Sequence, residues 1–185
     1  LTRSSAASDV YKRQMADLGE IEGALEENEE TIIHNLLGLR EVMVHEEMTP
    51  RTVVSAFDME KTIKEVLDDN TILRFSRIPV YEETIDNVRG LVIRSEILMA
   101  ASRDEWTLTL KDIMKPILKL EQDATIEQAL DVFLTNKQQF ALVRDEFGGT
   151  SGILTMEDVM ETLLGKEIVD ELLSLIHISE PTRPI

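Results

Sequence analysis

One feature limits what this chain can fold into more than any other: its middle is written twice. Ile63 matches Ile126 and Val80 matches Val143, each 63 residues apart, and Gly90 matches Gly152 at 62. Met48-Thr49-Pro50 is echoed by Met114-Lys115-Pro116, and Thr62-Ile63-Lys64-Glu65 by Thr125-Ile126-Glu127-Gln128. An offset that holds across several landmarks marks a tandem repeat. The second pair are capping boxes: a Thr hydroxyl accepts a backbone N–H three residues on, and the Glu or Gln there reaches back. Each copy predicts strand, helix, strand, strand, helix. About 60 residues bury only a marginal core, so the two copies are expected to pack their sheets together.

The richest stretch is Phe140 to Leu164. The apolar run Phe140–Val143 predicts a buried strand, and Ser151–Leu154 a second one pairing back on it. Between them Asp145-Glu146-Phe147-Gly148-Gly149 predicts a hairpin, its paired glycines taking positive φ. A helix then follows, with Val159, Met160, Leu163 and Leu164 on one face and Gly165 as its stop. Thr155 and Asp158 have two readings at its start. They form a capping box, or they form a ligand site in which hydroxyl and backbone N–H groups meet a phosphate and the carboxylate meets a ribose. The two are compatible.

Composition narrows the functional classes. The 185 residues are 43% hydrophobic but only 4% aromatic, so the core must be built from Ile, Leu, Val and Met. A net charge of −17 argues against nucleic acid or an anionic lipid surface as partner, while leaving room for a local basic pocket. There is no cysteine, hence no disulfide framework. No apolar run approaches the roughly 18 residues of a membrane span. No Ser–His pairing or phosphate-binding loop suggests an enzyme. Glu26 to Glu30 reads as a solvated helix face, and His34 and His45 lack a matching second ligand, so neither catalytic nor metal-ligating residues are expected.

In chain order, residues 1–14 and 172–185 lack periodicity matching their neighbours and resemble translated sequencing-adapter peptides, so they are set aside as non-native-looking tails. Residues 15–40 read as an acidic helical linker, with Ile32, Ile33, Leu36 and Leu37 forming a stripe that packs on something. The first copy spans 41–103 and the second 104–171. In the first, Met48-Thr49-Pro50 is expected to lead into a strand at Val53-Val54. Tyr81 to Asn87 is a longer acidic hairpin. Trp106 is expected to pack the link between the copies onto a helix.

The Met-x-Pro starts, Ser76-Arg77-Ile78-Pro79-Val80-Tyr81, Asp86-Asn87-Val88-Arg89-Gly90 and Gly152-Ile153-Leu154-Thr155-Met156-Glu157-Asp158 together resemble a tandem pair of cystathionine-β-synthase (CBS) domains. With Met48-Thr49-Pro50-Arg51-Thr52 and Asp145-Glu146-Phe147-Gly148-Gly149, the resemblance narrows to the hemolysin-like CorC/HlyC branch, related to the CNNM magnesium transporters. It covers roughly Met15 to Glu171. It implies a mixed α/β (α+β) fold of two CBS repeats with pseudo-two-fold symmetry. It also implies a regulatory module on the cytosolic side of a membrane domain that moves divalent cations such as magnesium or cobalt. The implied ligand is an adenine nucleotide, ATP or AMP, with or without magnesium. Thr155 would meet phosphate and Asp158 ribose, with Ile117, Arg77 and Pro79 completing the site.

The first copy departs from this pattern, carrying Ile93 and Glu96 at the equivalent positions, so one good site is expected rather than two. Arg77 and Arg51 are candidates to meet the outer phosphates, although Arg77 can equally pair with Glu82 or Glu83. The implied partners are the membrane domain and a second copy of the chain, docked through helices near Leu98, Val159 and Leu163. A dimerisation scaffold with a vestigial cleft is the alternative reading; an enzyme is a more distant one.

Overall fold

The computed structural model describes residues 28–69, 74–165, 168–171 and 174. The tails at 1–14 and 172–185 lie outside the described residues apart from Ser174, as do residues 15–27 of the acidic segment. The described part of the chain divides into two compact units, one running Arg40–Val159 and the other formed by the residues on either side of it.

Both copies adopt the order read from the repeat. The first runs β2 (Phe57–Asp58), α3 (Ile63–Asp68), β3 (Arg77–Tyr81), β4 (Val88–Ile93) and α4 (Arg94–Ser102). The second runs β5 (Leu118–Glu121), α6 (Ile126–Asn136), β6 (Phe140–Arg144), β7 (Thr150–Thr155) and α7 (Met156–Leu164). In each sheet the first strand lies parallel to the second, which turns back antiparallel on the third. Even the register breaks repeat, between Val80 and Tyr81 and between Val143 and Arg144. The expected capping boxes are formed, with Thr62 accepting from the Glu65 N–H and Thr125 from the Gln128 N–H.

The middle strands are apolar runs because both of their faces are covered. Ile78, Val80 and Val92 pack with Ile63, Val66 and Ile97 into the core of the first copy. Leu91 and Val88 turn the other way and meet Ile117, Leu142 and Ile153 between the sheets. Burying the sheets against each other supplies the apolar area that one copy lacks.

The copies also lend each other their opening segments. Before the first sheet come a short helix, α2 (Val44–Glu47), and β1 (Thr49–Pro50); before the second comes α5 (Leu110–Ile113). Strand β1 pairs with β7 of the second copy, Thr49 against Ile153 and Pro50 against Gly152. In return Lys115 bridges Leu91 of the first copy, with reciprocal hydrogen bonds of 2.8 and 2.9 Å. Leu110, with Leu108, Ile113 and Met114, belongs to the core of the first copy. The Val44 N–H donates to Ala124 O, and the Ile126 N–H to Val42 O.

Several local expectations change. Val53-Val54 is no strand: Arg51–Val53 forms a 3₁₀ turn with Val53 exposed, because β1 is used up pairing with β7 after two residues. Only Gly148 of the paired glycines has positive φ (82°); at Gly149 the Asp145 Oδ1 accepts the backbone N–H at 2.8 Å and holds the turn. The Trp106 ring stays partly exposed and donates to Asp104 Oδ1. The link is instead held on α3 by backbone, the Lys64 N–H donating to Trp106 O and the Ile63 N–H to Leu108 O.

In the other unit, residues 28–38 are helical (α1). Its inward positions are Ile32, Asn35 and Leu39 at helical spacing, and Asn35 Nδ2 donates to Leu163 O at 3.1 Å. Ile33, Leu36 and Leu37 therefore remain exposed rather than packed. Helix α7 stops at Gly165, with φ of 83° and its N–H on Glu161 O. No helix among the described residues is long and apolar enough to cross a membrane.

Candidate functional site

Strand β7 ends on Thr155 and α7 begins at the next residue, so the fold sets a hydroxyl, an acid and a helix start at one spot. The Thr155 N–H and Oγ1–H both donate to Asp158 Oδ2, at 2.7 and 2.8 Å, and the Asp158 N–H donates to Thr155 Oγ1 at 3.3 Å. The capping reading is thus realised in full. The Met156 N–H is spent as well, on Gln139 O at 3.0 Å. The helix start is therefore less open to a phosphate than the bare sequence suggests, and an anion here must be met largely by side chains.

Those side chains converge from both copies. A cavity of about 280 Å³ is lined by Arg74, Phe75 and Ser76, which lead into β3, by Arg77 at its start, and by Gln139, Phe140, Thr155, Met156 and Glu157. A second, of about 430 Å³, shares Arg77, Gln139 and Phe140 and reaches Leu91, Ile93, Lys115, Pro116 and Lys137. Together they form a groove lined by Arg74, Arg77, Lys115 and Lys137 against the single acid Glu157, a basic patch on an acidic chain. Among the described residues no carboxylate lies within ion-pair distance of Arg77; Glu82 is held by Arg89 at 3.3 Å. Arg74 stands over the Phe75 ring at 5.9 Å.

The groove thus brings together Thr155 and Arg77, two of the residues singled out from sequence. Asp158 acts one step behind, through its grip on Thr155. Pro79 is buried in β3 opposite Leu91, and Ile117 is buried between the sheets beside Phe140 and Ile93; neither lines the groove. Arg51 is held by Asp86. Sequence reasoning missed Phe75, Gln139 and Lys137 as walls. The signal was the repeat itself, since the same offset places Phe140 where the first copy has Arg77.

The CBS domain family matches residues 110–165. A solved CBS domain of a bacterial CNNM/CorC family Mg2+ transporter, in complex with ATP, superposes with a TM-score of 0.70 at 34% identity, covering 75% of this chain and 98% of that one. The chain belongs to the CNNM/CorC family of CBS-domain proteins.

Hemolysin C of Brachyspira hyodysenteriae is 35% identical over 164 residues, 89% of this chain and 58% of its own. The magnesium and cobalt efflux protein CorC of Escherichia coli is 26% identical over 147 residues, 80% of this chain and 50% of its own. The chain spans about half the length of these curated relatives. A CBS-domain pair from Klebsiella pneumoniae with bound AMP superposes at a TM-score of 0.60 and 25% identity, covering 67% of this chain and 99% of that one.

Within this CBS pair the two helix starts are chemically unequal. Ile93 precedes α4 with no side-chain cap, and Glu96, in the place of Asp158, is ion-paired with Lys115. An apolar side chain can neither donate to phosphate nor accept from it, and an acid already paired has less to offer a ribose.

Proposed function

We propose that this CBS pair is a nucleotide-sensing module: it binds one adenine nucleotide, ATP or AMP, in the groove at Thr155, and its occupancy biases an attached divalent-cation transport domain. The observation that carries this reading is the meeting on one cavity, built from both copies, of Thr155, the Phe140 ring and Arg77, which has no carboxylate partner among the described residues. Phe140 and Phe75 offer faces for a purine, Arg77 and Arg74 offer guanidinium groups for phosphate, and the Thr155–Asp158 pair offers an acceptor for sugar hydroxyls. The cavity approaches the few hundred cubic ångströms typical of small-molecule sites. A nucleotide that binds one arrangement of the copies better than another shifts the balance by its differential affinity.

The transport domain is inferred from the relatives' names, with the module on its cytosolic side and cation movement done elsewhere in the protein. No catalytic role is assigned. Association into homodimers is part of the same proposal, with Leu98 and Met99 of α4 offering exposed apolar surface; Val159 is fully buried within the chain and cannot contribute.

Calorimetric titration with AMP, ATP and ATP plus magnesium is the test. Saturable one-to-one binding is expected. A scaffold with a vestigial cleft has one observation in its favour, since Thr155 and Asp158 already satisfy each other. Absence of binding by all three ligands would decide for the scaffold.

A further inference from the structure

A second basic cavity lies at the other end of the same strands. Whereas the nucleotide groove opens at Ile93 and Phe140, this one, of about 280 Å³, opens at Val88 and Arg144. The length of β6, four steps of roughly 3.3 Å, puts about 13 Å between them. Its charged walls are Arg89, Lys119, Arg144 and Asp86, with Asn87 and Gly148 beside them.

The charges do not balance. Asp86 is held by Arg51, Arg89 by Glu82 at 3.3 Å, and Arg144 Nη2 by Glu121 Oε1 at 2.5 Å. Among the described residues Lys119 has no acid within ion-pair distance. Arg144 Nε is buried without any acceptor among the described residues. A buried N–H left unmet is unfavourable, and on a guanidinium it is a donor shaped for an oxyanion. One water needs only about 30 Å³ of the space.

We propose that this cavity is an oxyanion site, separate from the nucleotide groove, that takes a phosphate-sized dianion through Arg144 Nε and Lys119. The dianion is either free phosphate or the phosphomonoester of a small metabolite. Arg89, Asn87, Val88 and Leu142 also line it, the Asn87 amide donating to Glu82 Oε2 at 3.2 Å. An anion here would tie the two hairpins together, since Arg89 follows one and Arg144 precedes the other.

The test is a titration of the whole chain with inorganic phosphate at ionic strength held constant with chloride, read by the ¹⁵N shifts of arginine side chains. Arg144 Nε is expected to move and to saturate. Lys119→Ala, an exposed position that leaves the fold intact, should weaken binding about fivefold, the upper end for one exposed charge. Arg144→Lys, which keeps the charge and removes the Nε donor, should weaken it about tenfold. Arg77→Ala should change nothing at Arg144. A parallel titration with glycerol phosphate distinguishes the two sources: movement of Arg144 Nε by either supports the site, and the tighter binder identifies the source. A motionless Arg144 Nε, an unchanged midpoint in Lys119→Ala, or loss of the response in Arg77→Ala would each overturn the proposal.

Discussion

Gly152 lies directly against Thr49, so close that a Cβ on the glycine would overlap the Thr49 carbonyl oxygen. The first copy holds the mirror of this contact: a Cβ on Gly90 would stand 2.5 Å from Lys115 O. In both places the neighbour is backbone, already fixed by hydrogen bonds, and cannot swing aside.

Gly152→Ala and Gly90→Ala should each therefore cost about 1–3 kcal/mol or more, the range for overpacking a rigid interior. Gly38→Ala, where nothing lies within 4 Å, should be neutral or stabilise by about 0.5–1 kcal/mol, as expected in a helix. Urea unfolding midpoints check the contrast. Equal effects at Gly38 and Gly152 would contradict the crowding.

Asp158→Ala should weaken ATP and AMP alike by at least about tenfold, since it removes a charged acceptor and frees the hydroxyl it orients. The same change should lower stability by only about 1 kcal/mol through loss of the cap. Calorimetry and thermal melting separate the two effects; unchanged affinity would leave Asp158 a cap alone.

Arg77→Ala should harm ATP more than AMP, because Arg77 enters the groove from the opposite copy and suits the outer phosphates. Magnesium should tighten ATP binding and leave AMP nearly indifferent, as it neutralises charge that few side chains here can meet. Equal losses for both nucleotides would place Arg77 away from the distal phosphates.

Acid should loosen the helix starts. The Thr62 backbone N–H, then its hydroxyl, hold the Glu65 carboxyl below the ordinary carboxylate range, and Thr109 does the same to Asp112. A lowered folded pKa contributes stability that is complete above the unfolded value, near pH 4, and is lost as pH falls through the folded one. Glu65→Ala and Asp112→Ala should thus melt below the parent at pH 7, with the gap narrowing below about pH 4. A gap that widens in acid would contradict the assignment.

The repeat made the fold legible, because landmarks such as Ile63 and Ile126 had to occupy equivalent positions in equivalent cores. The exchange of opening segments was hidden. Nothing in Met48-Thr49-Pro50 says which sheet it joins; tertiary pairing decides that, as it decided against a strand at Val53. The Thr155–Asp158 cap was legible as a local motif. The walls contributed by Arg74, Phe75 and Lys137 were not, since they meet only when the copies pack face to face. Capping at Thr109 also escaped notice, although Asp112 three residues on carried the usual signal.

The seam between β1 and β7 has a mechanical meaning. Thr49 is fastened to Ile153, two residues short of Thr155, and lies only ten residues beyond Leu39. Polypeptide arriving from the N-terminal side is thereby yoked to the strand that ends on Thr155. Were a nucleotide to seat on Thr155 as proposed, the strand it steadies would also steady that incoming chain. Such a tether transmits displacement without any interface having to come apart.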